Sequence, residues 1–108
     1  MPRWRWGCRK FGRGRPPSWL FLYSLPNVKE FVPQPMLNPQ PIELSYAEYE
    51  VLRLLDLEGL TQEEAANKMN TSRATVWRLA ESARKKIAQA LTESRPLIIQ
   101  PKGEIKRV

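Results

Sequence analysis

Leu60-Thr61-Gln62-Glu63-Glu64-Ala65-Ala66-Asn67-Lys68-Met69-Asn70-Thr71-Ser72-Arg73-Ala74-Thr75-Val76 is the stretch that decides the fold of this 108-residue chain. It contains two helix starts. Thr61, followed by Gln62-Glu63-Glu64, has the S/T-x-x-E form of a capping box, in which the hydroxyl and the carboxylate each satisfy a backbone N–H of the first turn. Ser72 offers a second N-cap hydroxyl. The spacing predicts one helix from Thr61 to about Met69 and another from Ser72 to about Leu91. Only a tight turn around Asn70-Thr71 fits between them, which is the spacing of a helix-turn-helix. Ala65 and Ala66 are small enough to let the two helices cross closely.

The later helix has a two-sided pattern. At 100° per residue, Leu79, Ala80, Ala83, Ile87, Ala90 and Leu91 fall within about 60° of Val76 and form its core stripe. Ala74, Arg78, Glu81 and Lys85 collect on the opposite side. Trp77 and Arg84 lie on one flank, Thr75 and Ser82 on the other. Upstream, Ser45-Tyr46-Ala47-Glu48 is another capping box and opens a first helix that ends near Gly59. Downstream, Leu97-Ile98-Ile99 reads as a short strand or apolar anchor, with part of 19–25 or 28–32 as its expected partner.

Proline and charge divide the chain. Pro2, Pro16, Pro17, Pro26, Pro33, Pro35, Pro39 and Pro41 crowd the start, and none falls between Ile42 and Arg95. Proline interrupts helices and central strands. The expected division is therefore a basic, Pro-rich N-terminal arm (1–41), a helical domain (42–95) and a C-terminal tail (96–108). The expected fold is mainly α: a three-helix helix-turn-helix domain with an extended arm and a strand-like tail. Arg3, Arg5, Arg9, Lys10, Arg13 and Arg15 charge the arm with no acidic residue among them. Residues 45–70 set Arg53 and Lys68 against Glu48, Glu50, Asp56, Glu58, Glu63 and Glu64. Residues 71–95 reverse the balance, with Arg73, Arg78, Arg84, Lys85, Lys86 and Arg95 against Glu81 and Glu93.

Composition narrows the chemistry. A formal charge of +7 points to a polyanionic partner, nucleic acid before membrane. The chain has no histidine, which removes Ser-His-Asp and Cys-His nucleophile pairs, His-ligated zinc and imidazole proton shuttling. Its one cysteine, Cys8, removes an intrachain disulfide and a Cys-cluster metal site. There is no G-x-G-x-x-G and no Walker lysine loop. The expectation is a binding protein, not an enzyme, with no cofactor and no metal. The apolar run Trp19–Leu25 is too short and too flanked by proline for a signal peptide, and nothing approaches a membrane span of about 20 residues. A cytoplasmic location is expected.

Leu60 through Ala66 and Ser72-Arg73-Ala74-Thr75-Val76 together resemble the helix-turn-helix of sigma-factor region four. The likeness continues through Ala83-Arg84-Lys85-Lys86-Ile87. Met1-Pro2-Arg3, the segment Leu52–Leu60 and Gln62-Glu63-Glu64-Ala65-Ala66 are similar to a family of small prokaryotic predicted DNA-binding proteins of unassigned role. The resemblance implies sequence-specific duplex binding and transcriptional regulation. Two positions depart from the sigma-factor pattern. Asn70-Thr71 stands where a glycine and an apolar residue are usual, and Ala74 stands where a polar residue is common.

Site roles follow for a recognition helix spanning about 73–91. Arg73 and Arg78 are candidates for bidentate contacts to guanine, and Ala74 and Trp77 for apolar contact with thymine methyls. Packing against the arm or a partner subunit is the other reading of Trp77. Thr61, Gln62, Ser72, Arg84 and Lys85 are candidate phosphate contacts. Glu81 is expected to pair with Lys85. The arm suits a minor groove, a phosphate backbone or stacking on single-stranded bases; its other reading is a solubilising tail. Ala47, Val51, Leu52, Leu54 and Leu55 spread around the first helix more widely than a surface helix needs. The 19–25 segment, the 97–99 segment or a second subunit in a homodimer must cover them. The alternative functions are docking on RNA polymerase or another transcription protein, and RNA binding through the arm.

Overall fold

A computed structural model describes residues 19–103 and 105–107. In chain order the elements are β1 (Leu20–Leu22), β2 (Glu30–Phe31), β3 (Ile42–Ser45), α1 (Tyr46–Leu52), α2 (Gln62–Met69), α3 (Arg73–Glu93), β4 (Leu97–Gln100) and β5 (Ile105–Arg107). A π-helical turn, Arg53–Leu57, extends α1. The domain is thus a mixture of helix and strand, not the mainly helical fold expected from the sequence.

The helix boundaries obey their caps. Ser45 and Thr61 each close a full capping box, with Glu48 and Glu64 as the returning carboxylates. Gly59 takes φ +76 beyond the π-helical turn and lets the chain reverse into α2. Asn70 adopts the left-handed region (φ 60, ψ 47), which its short polar side chain tolerates, and its N–H bonds back to Ala66 and Asn67. Met69 is fully buried beside that turn. Thr71 stays half-buried and adds little to the core. The α3 helix runs slightly past its expected end, to a left-handed Ser94.

Strands complete the core. In the three-stranded sheet, β4 is central: antiparallel to β2 (Glu30↔Ile98) and parallel to β3 (Leu44↔Ile99). The expected partner within 28–32 is therefore present. The 19–25 segment pairs elsewhere, with β1 lying parallel to β5 in the register Leu20↔Ile105. β3 had no counterpart among the expected elements. Its period-2 pattern, Ile42 and Leu44 inward with Glu43 outward, is only four residues long and runs straight into the Ser45 cap.

One apolar cluster joins Leu20, Ala47, Val51, Leu54, Ala65, Ala66, Met69, Val76 and Ala80. A second joins Leu44, Ala83 and Ile99, with Tyr46, Tyr49 and Leu52 packed on it. Two of the three covers proposed for α1 are thus supplied by the chain itself, β1 on one side and β4 on the other. Leu91 corrects the core stripe: it is 78% exposed, although Ala90 next to it is buried, so the stripe narrows toward the C-terminal end of α3. Thr75, read as a flank residue, is buried at 3%.

Candidate nucleic-acid interface

The first turns of α3 are oriented by what they bury. Ser72 Oγ accepts from the Thr75 N–H (3.1 Å) and donates to Thr75 Oγ1 (3.1 Å). A buried hydroxyl needs such a partner. With Thr75 and Val76 fixed inward, helical geometry turns Arg73, Ala74, Trp77 and Arg78 outward, and all four are exposed. Arg73, Ala74 and Trp77, with Gln62 from the start of α2, line a surface depression of about 340 Å³. Three candidate base-contact residues and one candidate phosphate contact therefore share one concave face. Arg78 stands beside it, with Nη2 3.5 Å from Thr75 Oγ1.

The remaining candidates are placed differently. Ser72 donates its hydroxyl proton to Thr75, so it serves an anion site through the helix N-terminus it organises, whereas Thr61 Oγ1 accepts from the Glu64 N–H and its O–H can still donate to an anion. Lys85 is exposed. Arg84 is held by Asp56 in a two-point contact, Nε to Oδ2 at 3.1 Å and Nη2 to Oδ1 at 2.7 Å. That contact keeps the Arg84 guanidinium above its ordinary range. Glu81 also acts on Arg84, and it is not within ion-pair distance of Lys85. The arm candidates Arg3, Arg5, Arg9, Lys10, Arg13 and Arg15 lie outside the described residues.

The carboxylates of 45–70 are largely consumed inside the fold. Glu48, buried at the start of α1, accepts from the Ser45 N–H (2.9 Å), from Lys86 Nζ (2.9 Å) and from Ser82 Oγ. Burial alone would raise its pKa. The bonds from Ser45, Ser82 and Lys86 outweigh burial and hold it below the ordinary glutamate value. Glu50, fully buried, accepts from the Tyr23 N–H (2.9 Å) and from Arg53 Nε and Nη2 (3.2 and 3.0 Å). Arg53 also meets Glu58. These polar anchors were not found from sequence. The i,i+3 spacing of Glu50 and Arg53 was a usable signal, whereas Glu48 with Ser82 and Lys86 had none.

The result is an uneven distribution of cations. Lys86, Arg84 and Arg95 pair with Glu48, Asp56 and Glu93. Among the described residues, no carboxylate lies within ion-pair distance of Arg73, Arg78 or Lys85. No group of three or more potential metal ligands occurs among the described residues, and no helix there is long and apolar enough to cross a membrane.

A mixed α/β domain whose exposed helix start carries Arg73 and Arg78, with no carboxylate among the described residues within ion-pair distance of either, is the class that fold and site define. The chain belongs to the family described as "Protein of unknown function DUF134", which matches residues 1–108. It is 48% identical over 106 residues to the UPF0251 protein PF0620 of Pyrococcus furiosus, covering 95% of this chain and 92% of that one. It is 42% identical over 109 residues to a UPF0251 protein of Archaeoglobus fulgidus, with complete coverage of both. UPF0251 protein TK0562 of Thermococcus kodakarensis is 55% identical over 82 residues, 73% of each chain. No solved structure matches.

Proposed function

We propose that this protein binds duplex DNA in a sequence-specific manner and regulates transcription, with α2, its turn and α3 acting as a helix-turn-helix of the sigma region-four kind. The observation that carries the reading is the gathering of Gln62, Arg73, Ala74 and Trp77 on one exposed concave face. Arg78 lies beside it, and no carboxylate among the described residues neutralises either arginine. A guanidinium presented on the first turns of such a helix matches the O6 and N7 acceptors of guanine, and Ala74 and Trp77 offer apolar surface to thymine methyls. The capped N-termini of α2 and α3 supply amides for phosphates.

Docking through an acidic surface is the weaker reading. Glu48, Glu50, Asp56, Glu58 and Glu64 all have partners within the chain.

A gel-shift titration against random-sequence duplex, single-stranded DNA and RNA at several salt concentrations tests the proposal. Duplex binding that neutralises about six phosphates gives a log–log salt slope of about −5. Binding confined to RNA or single strands, or a duplex affinity indifferent to salt, overturns it.

A further inference from the structure

An apolar slot lies beside the C-terminal half of α3, away from its basic start. Phe31 of edge strand β2, Ile87 of α3 and Leu97 of β4 line both of two cavities, which therefore adjoin. One, of about 330 Å³, is walled almost entirely by hydrocarbon, with Val28, Leu52 and Ile99 among its other residues. The second, of about 380 Å³, opens past Val32 and Leu91 and has its polar groups in Gln34, Ser94 and Arg95. Each is large enough for a small organic ligand, and an apolar lining with a few polar groups is the usual make-up of such a site.

The chain does not fill this slot from its own apolar groups. Phe31 remains 59% exposed, and Leu91 is open as well. β2 is only two residues long, and Pro33 beyond it has no N–H with which to extend the ladder over the opening.

Arg95 supplies the charge. Its side chain is only 17% exposed. Nε donates to the Gln40 carbonyl (2.9 Å) and Nη1 to Glu93 (2.9 Å). These contacts fix the plane of the guanidinium, while Nη2 makes no hydrogen bond among the described residues. The end of α3 would repel an anion through bare carbonyls, but those nearest are occupied. Ala90 accepts from the Arg95 N–H, and Ser94 from the N–H groups of Leu37 and Asn38. Glu93 is the rival counterion. It is exposed, and a pair of that kind is worth little in water, so it yields to a carboxylate anchored by buried hydrocarbon.

We propose that this slot binds a medium-chain carboxylate, its tail lying along Phe31, Ile87 and Leu97 and its carboxylate on Nη2 of Arg95. Leu91 stands roughly 27 Å along α3 from Arg73, at about 1.5 Å per residue, so the site holds whether or not α3 reads DNA.

Decanoate is the probe, added to the full chain below the concentration at which it forms micelles. A methyl-resolved NMR titration should give saturable shifts at Val28, Ile87 and Leu97, and none at Val76, buried toward the other end of the helix. Decanol has the same tail without the charge and should bind about ten-fold more weakly. Decanoate should lose a similar factor on Arg95→Gln, the worth of one charge-assisted hydrogen bond.

Arg95 also holds the Gln40 carbonyl, so a second variant is needed. Val32→Trp plugs the slot from a position already 55% exposed; it should unfold at the parent's temperature and abolish the shifts. Absence of shifts at these methyls in the parent, or shifts that survive Val32→Trp, overturns the site. Equal binding of decanol and decanoate overturns the role of Arg95. A ligand-free dimer in sedimentation equilibrium that Val32→Trp dissociates also overturns the proposal, because a second copy of the chain is then the occupant.

Discussion

In the first two turns of α3, Arg73 and Arg78 stand exposed, and among the described residues no carboxylate lies within ion-pair distance of either. Further along the same helix and just beyond it, Arg84, Lys86 and Arg95 each meet one. The residue types are alike and the surroundings are not. Near the helix start the neighbours are Gln62, Ala74 and Trp77, which leave a guanidinium available to an outside anion. Past its midpoint the neighbours are α1 and the π-helical turn, whose Glu48 and Asp56 hold Lys86 and Arg84 and fasten helix to helix. Net charge along a segment is therefore a poor guide to the charge a partner meets. Here the segment richest in cations donates much of its charge to internal contacts.

The contrast can be broken at either end. The largest effect is expected at Glu48, where replacement by Ala strands the Lys86 ammonium and leaves the Ser45 N–H and Ser82 hydroxyl without their acceptor. Urea denaturation should show a loss of about 2–4 kcal/mol, several unmet donors costing about 1–3 kcal/mol apiece before water reaches the more exposed ones. Glu48→Gln gives the pH signature. Because the folded pKa is lowered, this carboxylate contributes stability that is fully present above its unfolded value of 4.5 and fades as pH falls below that. The Gln variant should have a flatter acid limb between about pH 5 and pH 3. Neither change should alter the bases preferred by the folded protein.

Arg73→Ala and Arg78→Ala come next and act in the opposite sense. Each should cost about 1–3 kcal/mol of binding to the preferred duplex and relax preference at one position. Stability should move by no more than about 0.5 kcal/mol. Selection of bound sequences with each variant provides the check; unchanged preference in both removes α3 as the reader.

The smallest effect lies between the two regions. Asp56→Asn breaks an exposed pair worth less than about 1 kcal/mol of stability. It also frees Arg84, so duplex affinity should rise and the salt slope should steepen by about 0.9, one more phosphate neutralised. An unchanged slope would mean that Arg84 does not face the DNA.

What could be read in advance was local. Capping boxes at Ser45 and Thr61, the Ser72 cap and the left-handed Asn70 depend on residues a few positions apart, so the helices were placed almost correctly from sequence. The exposed face of Arg73, Ala74, Trp77 and Arg78 followed from the same periodicity. The neutralising partners were not legible, since Asp56 and Arg84 are 28 positions apart and Glu48 and Lys86 are 38 apart. Nothing in either neighbourhood announces the other. The sheet was half legible for a similar reason: Leu97–Gln100 looks like a strand by itself, but its place between β2 and β3 depends on pairings across the whole helical segment.

The pairing of residue 20 with residue 105 also bears on the order in which the protein is made. During synthesis β1 emerges early and waits for β5, while α2 and α3 are joined by a tight turn and need only neighbouring chain. Contacts between distant residues carry the larger closure entropy and form late. The α2–α3 pair is thus complete before β1 is locked against β5. A half-finished molecule has α3 docked on α2 while Leu20 still lacks its cover from Ile105, so the apolar core closes in two stages.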